Sequence, residues 1–298
     1  MQVTGAAISA LGVVLKADFQ KGMAGVAPMW DKVATEIKSN ARSNEYNWLD
    51  KWPRLREWIG ERRIKELSGH SYTIRNRKWQ STVEVDLDDI EDDNAGMYSS
   101  LAEGEGQAAA KWPDQVVFGL LPKGFETVCY DGQNFFDTDH EVIDPETGEA
   151  TSYANMQVGA GPAWYLMDTS QSLKPLIWQL RTKPVFANKS DPAKSDYVFM
   201  NDKALWGTKA RGDAGFGFYE MAFGSKADLT EANFDAAYDA MTGQKDDEGN
   251  PLGVKPTILV VPPQLRKKGQ EIVKATRKAN GADNTNQGLV ELVVCPYL

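Results

Sequence analysis

The sequence predicts a mixed α+β chain, on three observations. Apolar residues recur at helical spacing between Asn94 and Leu121, short strand-like runs bounded by Pro, Gly, Asn and Asp fill the middle, and helix and strand patterns alternate through the last third. With 298 residues, 42% hydrophobic and 25% charged, the chain has the composition of an ordinary folded protein and the length for two compact units.

Met1 to Val14 is apolar but carries no Lys or Arg before Lys16, so it lacks the charged start of a secretory signal and cytosolic synthesis is expected. From Ala17 to Asn40, Phe19, Met23, Val26, Trp30, Val33 and Ile37 recur at three- and four-residue steps, predicting one or two amphipathic helices interrupted at Pro28. Lys51 to Lys78 then holds nine basic residues against three acidic ones, whereas Glu84 to Asp93 holds seven carboxylates and no base. Such runs are usually solvated faces, but two opposite blocks this close also suit an electrostatic contact. Between them Tyr72 and Ile74 alternate with polar residues, as do Val83, Val85 and Leu87 beyond Asn76-Arg77-Lys78. That pattern predicts an extended hairpin with a cationic turn, whose uncovered edges another chain would cover.

Met97, Leu101, Ala108, Trp112, Val116 and Leu120 form the stripe of one long helix, stopped at Pro122 and Gly124, with Pro113 expected to kink or divide it. Strand-like pieces follow at Ala163 to Met167, Leu176 to Leu180, Tyr197 to Met200 and Phe216 to Phe223. Thr230 is placed to cap a helix holding Phe234, Ala237 and Met241, and Asp246 to Pro251 marks a tight turn. A strand at Ile258 to Val261, a helix from Pro263 to about Lys278 and a strand at Leu289 to Val294 then suggest a small separate α/β lobe. The longest apolar run, Pro256 to Pro263, is strand-length, so no membrane span is expected.

No residue set for catalysis, cofactor or metal emerges. His70 and His140 stand far apart, each a structural histidine on its own, and Cys129 and Cys295 have no metal or disulfide spacing, reading as reduced, part-buried thiols. Gly212 to Gly217 has the wrong spacing for a dinucleotide turn and reads as a loop beside a strand. Counting from Asp89, the sixth and twelfth positions are Asn94 and Ser100, where a calcium loop needs Gly and Glu, which leaves at most a weak divalent-cation contact. Carboxylates at Asp131, Asp137, Asp139, Glu141 and Asp144 could be paired for an acidic hydrolase, but 42 acidic residues produce such clusters by chance. A formal charge of −9 argues against a broad grip on nucleic acid. Trp30, Trp48, Trp52, Trp58 and Trp79 crowd the first eighty residues, and together lean towards association.

Several phrases in order resemble the Mu-like phage major head subunit family: Tyr46-Asn47-Trp48-Leu49, Arg56 to Arg62, Asp88 to Asp93, Tyr130 to Phe136 with Asp139-His140, Trp164 to Asp168, and Leu259 to Pro263. The resemblance implies the Hong Kong 97-type α+β capsid fold, with residues 1–47 as N-terminal arm, 71–88 as extended loop, 48–70 and 89–224 as peripheral domain with a spine helix at 94–121, and 225–298 as axial domain. One departure is that strands like the usual C-terminal peripheral segment precede the axial-type lobe. It further implies a non-enzymatic subunit without cofactor, made in the host bacterial cytoplasm and destined for the virion. Hexamers and pentamers would enclose double-stranded DNA, touched loosely, with scaffold, portal and decoration proteins as partners. A nanocompartment shell of the same fold is the nearest alternative. Expected contacts between subunits are Arg75, Arg77, Lys78 and Trp79 on the basic side and Glu84, Asp86, Asp88 and Asp89 on the acidic side, the basic block of one copy meeting the acidic block of the next.

Overall fold

The computed structural model describes residues 5–47, 72–91, 95–143, 150–191, 193–245 and 249–298. Helix α1 (Gly5–Ala24) leads through a 3-10 turn at Trp30–Lys32 into β1 (Ala34–Lys38) and β2 (Ser43–Glu45). Strands β3 (Thr73–Arg75) and β4 (Arg77–Asp86) precede helices α2 (Leu87–Glu91) and α3 (Ala95–Phe118). Then come β5 (His140–Ile143), β6 (Ala150–Tyr153), β7 (Met156–Gln157), β8 (Trp164–Met167) and β9 (Leu176–Lys189). Helix α4 (Asp196–Asn201), β10 (Lys203–Phe216), β11 (Ala222–Ser225), α5 (Glu231–Thr242), β12 (Ile258–Val261), α6 (Arg266–Val273) and β13 (Glu291–Val294) complete the chain.

The helical pattern of Ala17 to Asn40 continues only to Ala24. Beyond Pro28 the Asp114 carboxylate accepts the backbone N–H groups of Met29 and Trp30 at 2.9 and 2.7 Å, turning the chain. Residues after Val33 then join β9 as a parallel strand, Ala34 opposite Leu176. Helix α3 is continuous, with Pro113 inside it. It runs beside α1 in the same sense, since Asp18 meets Ser99, Lys21 meets Glu103 at 3.0 Å, and Met23 lies against Gly106. Glycine permits this approach: a Cβ on Gly22 would lie 2.0 Å from the Glu103 carbonyl oxygen, and one on Gly106 2.1 Å from that of Phe19.

Two sheets organise the core. The first, ordered β1-β9-β10-β4, is dominated by the long antiparallel β9–β10 pair. The glycine-rich stretch from Gly212 is not a loop: it forms the end of β10, where a Cβ on Gly215 would fall 2.2 Å from Ile74 Cδ1. Rings of Trp30, Trp79, Trp112 and Trp178 pack in series against this sheet, with centroids 4.9 to 6.1 Å apart. Two of the early tryptophans are therefore committed to the subunit's own interior, while Trp48, Trp52 and Trp58 lie outside the described residues.

The second sheet has the order β13-β12-β8-β11-β7 and separates two apolar clusters. Along β8, Tyr165 and Met167 face the first cluster, while Trp164 and Leu166 face the second, formed with α5 and α6. Strand β12 alternates likewise, Ile258 and Val260 against Leu259 and Val261. The C-terminal strands thus build no sheet of their own, because β12 pairs antiparallel with β8. Buried Asp168 closes the β8 end: its Oδ2 accepts Lys255 N–H at 2.9 Å, its Oδ1 accepts Ser170 N–H at 2.8 Å, and Thr169 N–H donates to Thr257 Oγ1 at 2.9 Å. Thr230 caps α5 as expected, accepting from Asn233 N–H at 3.2 Å, whereas the helix from Pro263 stops at Val273, short of Lys278.

Candidate intersubunit surface

The hairpin expected around Asn76-Arg77-Lys78 does not form. β3 pairs with β2, Asn44 opposite Ile74, while β4 pairs with β10 from Lys203↔Asp86 to Gly212↔Arg77. Asn76 is buried at the junction, donating to Ser39 Oγ at 2.8 Å and Ala41 O at 2.9 Å and accepting from Gln179 Nε2 at 2.9 Å, so the chain runs straight on. The alternation that suggested a hairpin is that of an outer strand, with Val83 and Val85 packed beneath α1 and α3 beside Phe186 and Trp206.

Straightening the segment sets its charges apart. Arg77 and Lys78 begin β4 and Glu84 and Asp86 end it, so at roughly 3.3 Å per residue the two groups sit about 25 Å apart. Neither neutralises the other within the strand. Arg75 and Lys78 are exposed. Arg77 pairs with Asp213 at 2.8 Å, and Trp79 donates Nε1–H to Gly212 O at 3.1 Å and packs its ring at a tilt against Trp112, so both are engaged within their own chain. Residues 51–71 of the basic block lie outside the described residues.

At the acidic end, Glu84 accepts from Lys203 and from Tyr197 Oη at 2.8 Å, and the lysine holds its carboxyl below the usual range. Asp89 accepts from Tyr98 Oη at 3.3 Å. Asp86, Asp88 and Asp202 gather carboxylate oxygens within 4.8 Å of one another at the surface. Between β9 and β10, immediately beside them, stands α4, a segment whose Tyr-Val-Phe-Met run reads as a strand in sequence. Only Val198 of this helix is buried; Phe199 and Met200 are 74% and 76% exposed. Leu87 N–H donates to Asp202 O at 3.0 Å, tying the helix to the acidic segment. An apolar tip with an acidic collar therefore projects from the end of the long sheet. A short apolar run does not distinguish helix from strand, which is why pattern reading misses this tip.

His140 and the carboxylates Asp131, Asp137, Asp139 and Glu141 occupy another region, while His70 and Asp144 lie outside the described residues. His140 is buried, with Nδ1 2.6 Å from Asp131 Oδ2 and its ring stacked 3.8 Å from that of Tyr219. Asp131 also accepts from Cys129 Sγ at 3.0 Å, and burial pushes that thiol up, away from reactivity. Cys129 and Cys295 are both free, as their spacing suggested, and both are buried where part-burial was expected.

The profile of the family described as "Mu-like prophage major head subunit gpT" matches residues 8–298. The chain belongs to this family. It is 39% identical to the major capsid protein of Escherichia phage Mu over the whole of both chains, and 39% identical to the Mu-like prophage FluMu major head subunit of Haemophilus influenzae over 99% of each. Its structure matches a chain of the procapsid of bacteriophage JBD30 with a TM-score of 0.88 and 46% identity, covering 99% of this chain and 100% of that one. A chain of the JBD30 capsid matches with 0.79 and 35%, covering 100% and 99%. This Mu-like head subunit accordingly has the α+β capsid fold and is a structural component of the virion shell, not an enzyme. No helix among its described residues is long and apolar enough to cross a membrane.

Proposed function

We propose that this Mu-like head subunit assembles as hexamers and pentamers into the icosahedral head, and that its copies engage through the acidic end of β4 and the α4 tip. The observation that carries the contact surface is the projecting Phe199–Met200 pair within its collar of Asp86, Asp88 and Asp202. The complement is a surface with apolar side chains and excess positive charge, and residues 51–78, rich in Arg and Lys with Trp52 and Trp58, have that composition. The division into arm 1–47, peripheral 48–70 and 89–224, extended loop 71–88 and axial 225–298 belongs to the same reading; β7, β8 and β11, nearly all on the peripheral side of it, share one sheet with β12 and β13 of the axial side.

Scaffold and portal proteins are the partners such a head would require. A decoration protein is supported by a third similar structure, a JBD30 capsid chain matching at TM-score 0.77 and 35% identity, whose capsid is decorated with minor capsid protein trimers. A charge of −9 suits loose contact with packaged DNA. Expressed alone, the full chain should give rings or closed shells by size-exclusion chromatography and negative-stain electron microscopy. A strict monomer at high concentration would remove self-assembly from the proposal.

Charge reversal tests the contact between blocks. Arg75→Glu with Lys78→Glu spares the internal Arg77–Asp213 pair, so the subunit should fold normally while assembly falls at least tenfold at low salt. Each exposed pair is worth only about 0–1 kcal/mol, but the loss recurs at every contact. Unchanged shell yield would rule out the pairing of basic and acidic blocks.

A further inference from the structure

We propose that the Tyr130–Glu220 and Asp131–His140 pairs form a proton-held latch, closed while Glu220 is protonated and loosened when it ionises, that fastens the 127–143 segment and the β5–β6 hairpin to the turn at Tyr219–Met221. The latch stands apart from the shell contacts and does not depend on them. Its parts come from distant stretches of chain. Tyr130 Oη lies within hydrogen-bond reach of both carboxyl oxygens of Glu220, at 2.9 and 2.8 Å, and Gln244 Nε2, just beyond α5, donates to the Glu220 carbonyl at 2.8 Å. One residue on from Tyr130, Asp131 grips His140, the first residue of β5, whose cross-strand neighbour on β6 is Tyr153. The rings of Tyr130 and His140 both stack on Tyr219, at 5.5 and 3.8 Å, so the loop and β5 converge on one turn.

The charge inventory gives the latch its direction. Facing Glu220 are Tyr130, Asp131 and Cys129 from the loop, His140 from β5, Tyr153 from β6 and its own neighbour Tyr219. Asp139 and Glu141 are exposed on the same loop and strand, and half-buried Asp137 accepts from the backbone N–H groups of Asn134 and Thr138. Among the described residues of this set, His140 alone can carry positive charge, and it is already committed to Asp131. Its Nε2 is buried without a partner among the described residues. A second carboxylate charge here is therefore unsupported, and burial pushes the Glu220 carboxyl up from 4.5 to about 7, with Asp131 adding repulsion.

A carboxyl raised in the closed state gives stability that is complete below about 4.5 and lost as pH rises to about 7. Opening the latch restores the ordinary carboxyl, so closure should weaken by about tenfold per pH unit across that window and level off above it. Hydrogen exchange on the full chain, corrected for the intrinsic pH dependence of exchange, reads this directly in peptides covering β5 and β6.

In the wild type, protection of those peptides should fall about fortyfold between pH 5 and pH 7 while peptides from α3 keep theirs. Glu220→Gln, which retains the shape and the Tyr130 contact without the titration, should abolish the fall. Should that variant not fold, Tyr130→Phe serves instead: removing the hydroxyl that favours the ionised form should extend the fall to higher pH. Flat wild-type protection, a fall unaltered in Glu220→Gln, or one that ends at the wild-type pH in Tyr130→Phe would overturn the latch.

Discussion

A double substitution Phe199→Asp, Met200→Asp is expected to yield a subunit that folds with the wild-type unfolding midpoint and forms no shells. Folding should survive because α4 contributes only Val198 to the interior, packed with Val85, Leu87 and Trp206, while the two substituted side chains are three-quarters exposed. Assembly should not survive if the tip is a contact. Burying a side chain of either kind contributes about 1.5–3 kcal/mol, so the pair amounts to roughly 3–6 kcal/mol per contact. That is about two to four orders of magnitude in the association constant, before counting carboxylates placed beside an already acidic collar. Electron microscopy and size-exclusion chromatography at matched concentration decide the matter. Wild-type shell yield from the double variant would move the contact elsewhere.

The second large effect concerns the α1–α3 pair. Gly106→Ala would place a methyl 2.1 Å from the Phe19 carbonyl oxygen and 3.0 Å from Met23 N, and both are backbone atoms that cannot swing aside. Helix α1 must therefore retreat, partly exposing Leu15 and Phe19, which are now 0% and 2% accessible in a cluster with Phe186, Ala102 and Trp206. Overpacking costs about 1–3 kcal/mol and the lost burial adds to it, so a total near 4 kcal/mol is expected from urea unfolding. Gly104→Ala is the control. It lies on the same helix with no atom within 4 Å of its would-be Cβ, and alanine's better helix propensity should stabilise by up to about 1 kcal/mol. Equal responses at the two positions would mean that the close approach of the helices does not limit stability.

What pattern reading recovers here is local. Thr230 caps its helix because the signal and its target lie three residues apart, and β12 occupies Ile258–Val261, as its proline-bounded apolar run suggested. The errors arise where the deciding partner is remote. The alternation in β3 and β4 is correctly extended, but their partners are β2 and β10, and nothing near Asn76 indicates that it will be buried against Ser39 and Gln179 instead of exposed at a turn. Residues after Val33 keep a helical spacing yet become a strand once β9 is available beside them. Of the nominated surface residues, Glu84, Asp86, Asp88 and Asp89 collect at one end of the sheet, whereas Arg77 and Trp79 are used internally. The α4 tip is not legible in sequence because its prominence depends on where the long β9–β10 pair ends, not on its own four side chains.

The buried carboxylate at Asp168 bears on how the subunit avoids misfolded isomers. Ile258, Leu259, Val260 and Val261 are so alike that sliding β12 by one place against β8 would put acceptable side chains into both cores. Cohesion there is abundant but anonymous; it says that the strands adhere, not where. The address is written at the end, where only one alignment lets Asp168 meet Lys255 N–H and Thr169 meet Thr257. Swaps among the four aliphatic residues should thus alter stability by degrees, whereas Asp168→Leu would leave the sheet several nearly equivalent ways to close, and a shell built of identical parts has no place for a subunit with more than one shape.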